Sequence, residues 1–503
     1  MKGPATAVER ERKYELSETT GIPRLVGAGP VRGQAAPVEH VLDATYFDTP
    51  GYALARAGLT LRRRTGGEDA GWHLKLPIDA DTREELHIPL AAEELKVPKA
   101  LSRLVRAYTL GAKIGPVAHL RTDRFAHQLT DGDGHAVATL TDDHVTGEAA
   151  GDTARLERWR EVEIELAPEV APGVLDELER ALTGAGAQVS PWPSKLRRLI
   201  GDRVPTGRKP PKRPDAGTVV VGYLREQADR LRQADVGVRR DFDDSVHQLR
   251  VCVRKLRSAL RSFESIVDGD GTAGLVAELK WLGQRLGPAR DLEVAEALVA
   301  AGVDRLPPEL VVGPVRQQAT RYFAREKAVA RERVLDTLDG GRYLRLLRSL
   351  EAVLTEPPLT AAARKPARKR LRKPVRRAVR KMERAEKAAR GLSGSDRERA
   401  LHEVRKRAKR VRYALDVLRP VAEVGPWRKR VKAVLAELGQ HQDVVVSREV
   451  LYRLGITGSG DGGNTFTFGL LYGQGSGETA ERRGGFTRAW TGLRGKERPG
   501  WLS

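Results

Sequence analysis

Charged residues alternate with apolar ones in two short segments of the chain. In VERERKYEL, residues 8–16, Glu9, Glu11 and Lys13 share one parity. In REVEIELA, residues 160–167, Glu161 and Glu163 do the same, followed by a third glutamate. Side chains of a strand alternate between two faces, so each segment predicts a strand with one charged face. If the faces meet inside a barrel, their carboxylates can hold a divalent cation; the alternative is two edge strands with solvated faces.

Basic residues occupy similar alternating positions elsewhere in residues 6–200. The candidates that could contact an anion are Arg62, Arg64, Lys75, Arg121, Arg124 and Lys195. Arg121 and Arg124 have opposite parity, so at most one of them points inward without a bulge, and Arg121 is ranked first. Bases placed among acids in this way predict a site for a metal-bound oligophosphate.

The elements that must position these residues divide the chain in three. Residues 6–200 contain short alternating segments separated by turn signals, which predicts an antiparallel sheet or barrel. Residues 201–218 are rich in Pro, Gly and base and predict a linker. From 219 to about 455 the pattern is helical, and two short helices are expected in the glycine-rich remainder.

Charge is distributed unevenly over the 503 residues. Residues 1–200 hold 26 Lys and Arg against 30 Asp and Glu, whereas residues 201–503 hold 63 against 37. The second part therefore attracts polyanions, without choosing between nucleic acid, anionic membrane and polyphosphate. The single cysteine, Cys252, and the absence of a long apolar run favour a cytoplasmic protein that does not span a membrane.

A repeat is visible in the helical part. HQLRVCVRKLRSAL at 247–260 matches HEVRKRAKRVRYAL at 402–415, and LGPARD at 286–291 matches LGQHQD at 438–443. At 100° per residue, three bases follow each histidine on a single stripe. The stripes and the bases beside them comprise His247, Arg250, Arg254, Lys255, Arg257, His402, Arg405, Lys406, Lys409, Arg410 and Arg412.

A helix segment rich in Arg and Lys most commonly forms a solvated face. Unrelieved like charges three and four residues apart destabilise a helix, however, so the repeated stripe predicts two basic helices facing one polyanion groove. Asp291 and Asp443, which end the LGxxxD pieces, are predicted to orient arginines or cap helices.

Residues 6–200 resemble a CYTH domain of the triphosphate tunnel metalloenzyme family. The resemblance rests on ExExK at residues 9–13, followed in order by TYFDT, LRRR, WHLK, REE, LTDD, EVEIEL and SKLRR. It implies an eight-stranded antiparallel tunnel that hydrolyses triphosphates with Mg²⁺ or Mn²⁺. Catalytic roles fall to Glu9, Glu11 and Lys13, metal ligation to Glu9, Glu11, Glu161 and Glu163, and triphosphate binding to Lys13, Arg62, Arg64, Lys75, Arg121 and Lys195.

Residues 219–495 resemble a CHAD domain, a conserved-histidine helical domain often fused to CYTH domains. The two histidine repeats carry this resemblance. It implies an all-α domain of two four-helix bundles around a basic channel that binds inorganic polyphosphate, and hence association with polyphosphate granules.

Three functions remain open at this point: a polyphosphate-directed triphosphatase, a catalytically silent polyphosphate-binding scaffold, and a nucleic-acid-binding protein. Proteins that bind single-stranded nucleic acid usually stack its bases on aromatic side chains. Aromatic residues make up 5% of this sequence, and none is interleaved with the basic stripe. We therefore rank the nucleic-acid-binding function third. Relatives of CYTH domains also include adenylyl cyclases and thiamine triphosphatases, between which the sequence does not decide. No protein partner can be inferred.

Overall fold

The chain forms two compact units, Met1–Arg208 and Lys209–Ser503, in a computed structural model. The residues described are 4–90, 96–149, 155–204, 211, 213–460, 464–481, 483–495, 499, 500 and 502. The boundary lies within the predicted linker 201–218, of which residues 205–210 and 212 are outside the described part. The first long helix begins at Ala216, slightly earlier than predicted, because the Asp215 side chain caps it by accepting from the Thr218 amide at 2.7 Å.

The N-terminal unit is built on antiparallel strands. These are β1 (Ala5–Glu15), β2 (Gly33–Gln34), β3 (Val38–Asp48), β4 (Thr60–Thr65), β5 (Gly71–Pro77), β6 (Thr82–Pro89), β7 (Gly115–Thr130), β8 (Ala136–Ala149), β9 (Arg155–Leu166) and β10 (Gln188–Val189). Its helices are α1 (Ala53–Arg56), α2 (Lys99–Leu104), α3 (Arg106–Thr109), α4 (Val174–Gly184) and α5 (Lys195–Leu199).

Eight of these strands close into a barrel, as predicted. Their order is β1-β6-β5-β4-β3-β7-β8-β9, and β9 pairs back to β1. The short strands β2 and β10 pair at the sides with β7 and β1. In this ring β4 lies four strands from β9 in either direction, so the two strands face each other across the barrel.

Alternation decides which side chains enter the barrel. The even-numbered residues Tyr14, Val162 and Ile164 are fully buried in an apolar core outside the tunnel. The amphipathic helix α4 covers this core with leucines that include Leu175 and Leu178. The odd-numbered charged residues of β1 and β9 are thereby left to face inward.

The C-terminal unit is helical, as predicted. Its helices are α6 (Ala216–Arg239), α7 (Ser245–Ser262), α8 (Gly269–Arg285), α9 (Gly287–Asp304), α10 (Val315–Asp339), α11 (Gly341–Thr355), α12 (Ala367–Arg370), α13 (Arg372–Ala389), α14 (Gly394–Leu418), α15 (Gly425–Gly460), α16 (Phe466–Glu481) and α17 (Arg483–Arg494). The glycine-rich end therefore contains two helices, α16 and α17. No helix among the described residues is long and apolar enough to cross a bilayer.

The two sequence repeats form corresponding helices with one difference. The histidine segments lie in α7 and α14, which pack against each other. After α7, the chain breaks between α8 and α9, where Pro288 occupies the second position of α9. The corresponding residue of the second repeat is Gln440, and α15 continues through it. Proline lacks an amide hydrogen and clashes with the preceding turn, so its presence in one copy accounts for the break.

One apolar core joins the two repeats. It brings together α9 and α10 of the first with α15 and α16 of the second. Its largest fully buried side chains are Phe323 and Phe468. The repeats thus share a core.

Candidate functional site

Two carboxylate-bearing strands meet where the barrel closes. Pairing of β1 with β9 sets Glu11 opposite Glu165 and Lys13 opposite Glu163. Together with Glu9 these residues line a tunnel cavity of about 180 Å³. The wall formed by β1 and β9 is therefore acidic, with one lysine in it.

Lysines hold the carboxylates of this wall. Lys75, on β5, donates from Nζ to the Glu9 carboxylate at 2.5 Å. Lys13 donates to Glu163, and its Nζ lies 3.2 Å from the Glu11 carboxylate. At most 15% of each of these side chains is exposed, so each charge depends on its partner.

The opposite wall is basic. Arg62 and Arg64 project from β4 into the same cavity. Arg62 Nη2 lies 3.8 Å from a Glu85 carboxylate oxygen, and Arg64 donates to Asp69. The Nε atoms of both arginines are buried without a hydrogen-bond partner. Because both side chains line the cavity, these two donors are available to the oxygens of an anion.

His73 supports this wall from behind. Its Nδ1 lies 2.5 Å from the Glu85 carboxylate, and its Nε2 lies 2.9 Å from the Asp69 carbonyl oxygen. Burial lowers the pKa of His73, although Glu85 opposes the shift. Both contacts are with acceptor oxygens, and a neutral ring donates from only one nitrogen. The shorter contact marks the hydrogen bond that His73 donates to Glu85, and the other nitrogen lies against the 66–70 turn that carries the partner of Arg64.

Burial and opposed charges shift the pKa values of the wall. Burial and a hydrogen bond with Glu85 raise the pKa of Glu9 to about 8, against the attraction of Lys75. Burial also acts to raise the pKa of Glu11, but Lys13 and Lys75 outweigh it and lower the pKa to about 2. Crowding of carboxylates around Glu9 is the situation that a bound cation relieves.

The structure reverses the predicted order of Arg121 and Arg124. Arg121 faces outward with 62% of its side chain exposed. Arg124 lines the tunnel, donates from Nε and Nη2 to Asp143 at 2.7 Å, and lies 3.1 Å from Glu163. The buried Leu120 and Thr122, which also line the tunnel, share the parity of Arg124. Apolar residues mark the outer face of β1 and β9, so the alternation of β7 alone did not decide this assignment.

Glu161 is a second correction. Only 1% of it is exposed, and it is absent from the described residues that line the tunnel, whereas Glu165 is among them. Glu161 instead accepts from Lys195 Nζ at 3.0 Å and from Trp159 Nε1 at 3.2 Å. Lys195, at the start of α5, also lies 2.8 Å from Asp143. Glu161 therefore helps to hold Lys195 in place.

Most of the remaining predicted residues converge. The predicted residues that line the tunnel are Glu9, Glu11, Lys13, Arg62, Arg64, Lys75, Glu163 and Lys195. Arg124, which was ranked below Arg121, joins them, and the charged lining residues outside the predicted set are Asp69, Arg83, Glu85 and Glu165. Arg83 and Glu85 share a parity on β6, and this was the available signal.

The donors of the acidic wall suit a divalent cation such as Mg²⁺ or Mn²⁺, because carboxylate oxygens are hard ligands. Glu9, Glu11 and Glu163 could hold such an ion by exchanging some of their lysine contacts. Among the described residues, the group of three ligand atoms already within 4.8 Å of one another is a different one, Asp131, Asp133 and His135. That group lies in the β7–β8 turn, where Asp131 accepts from the amides of the other two at 2.9 Å, so the turn itself explains it.

A second charged cavity, of about 340 Å³, lies between α7, α13 and α14. Its basic lining consists of Arg254, Arg257, Arg261, Arg377, Lys381, Lys406, Arg407, Lys409 and Arg410. Burial and neighbouring arginines lower the pKa of Arg257 and of Arg410. Arg254 Nε and the Ser258 hydroxyl are buried there without a hydrogen-bond partner. This cavity, which we call the basic cavity, has unpaired donors and excess positive charge, as a polyanion site requires.

Only part of each predicted stripe reaches the basic cavity. The predicted residues absent from its lining, within the described part of the chain, are His247, Arg250, Lys255, His402, Arg405 and Arg412. Arg250 instead donates to the Gly287 carbonyl at 3.0 Å and lies 3.4 Å from Asp291, as predicted for that aspartate. Arg405 lies correspondingly against Gly439. The side chain of Asp443 is outside the described residues.

The basic stripe on α14 also has more acidic partners than predicted. Glu403 lies beside it and accepts from Lys406 at 2.8 Å, with Arg407 at 3.7 Å. These pairs relieve part of the repulsion on α14, whereas no acid occurs in residues 245–263 of the first copy.

Comparisons with known families match both units. The CYTH domain model matches residues 7–191, and the CHAD domain model matches residues 222–452. The chain belongs to the proteins that join a CYTH domain to a CHAD domain. A relative is the uncharacterized protein Rv2226 of Mycobacterium tuberculosis, which is 38% identical over 498 residues, or 95% of this chain and 94% of its own.

Solved structures resemble parts of the chain. PptA from Streptomyces chartreusis is 22% identical, with a TM-score of 0.46 over 55% of this chain and 99% of its own. The CHAD domain of the plant Ricinus communis is 23% identical, with a TM-score of 0.45 over 57% and 97%. A Hippeastrum protein described as a putative adenylyl cyclase with dominant triphosphatase activity is 19% identical, with a TM-score of 0.25 over 39% and 97%.

Proposed function

We propose that the N-terminal unit is a triphosphatase that acts on inorganic triphosphate or polyphosphate with Mg²⁺ or Mn²⁺, and that the C-terminal unit binds polyphosphate. The observation that carries the proposal is the polarity of the tunnel. Carboxylates line the β1–β9 side, and arginines with unpartnered Nε atoms line the β4 side. A triphosphate with a bound cation presents the complementary pair of charges.

In the tunnel, basic residues would bind the phosphates and carboxylates would bind the cation. Arg62, Arg64 and Arg124 would bind phosphate oxygens and neutralise the negative charge that develops on them during transfer. Lys13, in the acidic wall, and Lys75, on β5, also line the tunnel and would contact the same chain. The divalent cation, held by Glu9, Glu11 and Glu163, would supply charge neutralisation on the phosphate side facing that wall.

Hydrolysis requires no covalent intermediate. A water aligned by a wall carboxylate would attack the terminal phosphorus, forming one P–O bond while the phosphoanhydride P–O bond breaks. The proton of the water would pass to the carboxylate, and the shortened phosphate chain would leave against the arginine wall.

A catalytically silent scaffold is the second candidate. The basic cavity supports it independently of the tunnel, because it could tether the chain to polyphosphate, including polyphosphate granules, without turnover. A nucleic-acid-binding role is third, since no aromatic residue except Tyr413 stands among the residues that line the basic cavity in the described structure.

A phosphate-release panel separates these candidates. Tripolyphosphate, long-chain polyphosphate, ATP and thiamine triphosphate would each be incubated with Mg²⁺ or Mn²⁺, with cyclic AMP measured in the ATP arm. Metal-dependent phosphate release from tripolyphosphate supports the proposal. Cyclic AMP formation would indicate a cyclase, and polyphosphate binding without any release would indicate a scaffold.

A further inference from the structure

Helix α13 carries basic residues well beyond the basic cavity. Six of them surround a shallow cavity of about 500 Å³ along the helix: Lys373, Arg376, Arg377, Arg380, Lys381 and Arg384. Arg377 and Lys381 line both this cavity and the basic cavity, so the two cavities adjoin at these residues. From Lys373 to Arg384 the row is about 16 Å long, at 1.5 Å per residue.

The basicity of this row is specific to the second repeat. The offset that aligns His402 with His247 places α13 on α6, and every buried residue within α13 then falls on a buried residue of α6. The pairs are Pro374 with Val219, Val375 with Val220, Val379 with Leu224, Met382 with Gln227, Glu386 with Leu231, and Ala389 with Ala234. The two helices therefore present equivalent faces to their cores.

Their outer faces differ in charge. At the six positions of the α13 row, α6 carries Thr218, Val221, Gly222, Arg225, Glu226 and Asp229. One of these is basic and two are acidic, whereas all six residues of α13 are basic. The fold of the repeat does not require this row, because α6 forms the same helix without it.

Like charges three and four residues apart cost about 0.2–0.5 kcal/mol per pair in an isolated helix. One ion pair of the row joins Arg377 to Glu264 at 3.8 Å, and both side chains are more than half exposed. Such a pair offsets little of the repulsion. A bound polyanion would offset it fully.

We propose that the outer face of α13 is an extension track for linear polyphosphate, over which a chain seated in the basic cavity continues through Arg377 and Lys381. This inference rests on the proposed polyphosphate binding by the C-terminal unit. The track gives binding a dependence on chain length, because tripolyphosphate can occupy a cavity alone whereas a long chain also contacts α13. It also makes the two repeats unequal, so a long chain leaves the cavity on the side of the second repeat.

The test compares two triple variants of the full chain with equal loss of charge. The track variant is Lys373→Gln, Arg380→Gln and Arg384→Gln, which spares the two residues shared with the basic cavity. The control is Lys280→Gln, Arg321→Gln and Arg325→Gln, three exposed bases on α8 and α10. Affinity for long-chain polyphosphate and for tripolyphosphate is measured over a series of salt concentrations, with duplex DNA as a competitor.

We expect the track variant to bind long-chain polyphosphate about tenfold more weakly or worse, with its salt slope reduced by about 2 for three lost contacts. Its affinity for tripolyphosphate should stay at the wild-type value, and the control should change neither. Equal effects of the two variants on long chains, or wild-type affinity in the track variant, would overturn the track while leaving polyphosphate binding intact. If wild-type protein does not bind polyphosphate, the proposed function of the C-terminal unit fails as well. Equal competition by DNA would show a general polyanion surface and overturn the assignment to polyphosphate.

Discussion

Arg124 and Arg121 provide a matched test of the tunnel, because they are three residues apart on β7 but lie on opposite faces. Arg124 makes two hydrogen bonds of 2.7 Å to Asp143 and faces the cavity, whereas Arg121 is 62% exposed and 3.7 Å from Asp123. Removing one preorganised donor to a developing charge costs roughly 3–4 kcal/mol, or a factor of about 10²–10³ in rate. An exposed ion pair contributes about 0–1 kcal/mol. We therefore expect Arg124→Gln to lower kcat/KM for tripolyphosphate by 10²-fold or more, and Arg121→Gln by less than about fivefold.

The assay is phosphate release at saturating metal, with melting temperatures measured for both variants. Arg124→Gln leaves Asp143 and Glu163 with Lys195 as a remaining partner, so the barrel should still fold. Comparable losses of activity in the two variants, with both proteins folded, would refute the assignment of the inward face of β7. A normal rate in Arg124→Gln would do the same.

Three further results are expected. Replacing His73 with Leu removes a hydrogen bond to the buried Glu85 carboxylate, so kcat for tripolyphosphate should fall by roughly 10–100-fold. His73→Gln can still donate this hydrogen bond and should recover most of the lost activity. Equal losses of kcat in the two variants would contradict the positioning role of His73. Burial acts to raise the pKa of Asp143, but Lys195 and Arg124 more than offset it and hold the pKa below its usual 3.8. Asp143→Asn should therefore lower the free energy of unfolding by about 3–5 kcal/mol at pH 7. This difference between wild type and variant should shrink as the pH falls below about 4, because protonation of Asp143 removes the stabilisation in the wild type. A pH-independent difference in urea denaturation would contradict this role of Asp143. The third result concerns three arginines of the basic cavity, Arg254, Arg257 and Arg410. Neutralising them should weaken polyphosphate binding by at least about tenfold and leave tripolyphosphate turnover unchanged.

Much of the fold follows from local patterns. Alternation in the segments around Glu9 and Glu163 predicted both strands that close the barrel, and the match between the two histidine segments predicted that α7 and α14 are equivalent. These features depend on residues close in sequence. The contacts of Glu161 could not be predicted in the same way, because they depend on Trp159 and on Lys195, which a separate helix carries into place.

The contacts of the site were harder to predict where a long side chain can reach several alternative hydrogen-bond partners. Arg250 has the spacing of a groove residue, yet it turns to the Gly287 carbonyl, which only the packing of α7 against the start of α9 makes available. The third wall of the basic cavity, α13, has no histidine repeat to mark it. The dense base of residues 363–387 is visible in the sequence and indicates a contribution to the groove. Which of these bases line the cavity depends on the packing of α13 beside α14.

The most direct test of the account is phosphate release from tripolyphosphate by wild-type protein and by the Glu9→Gln, Glu11→Gln double variant, each with Mg²⁺, with Mn²⁺ and with chelator. The account predicts release by the wild type only with metal, and none by the double variant although its circular dichroism is unchanged. Full activity of the folded double variant, or release by the wild type in chelator, would contradict the assignment of the acidic wall to a metal-dependent triphosphatase.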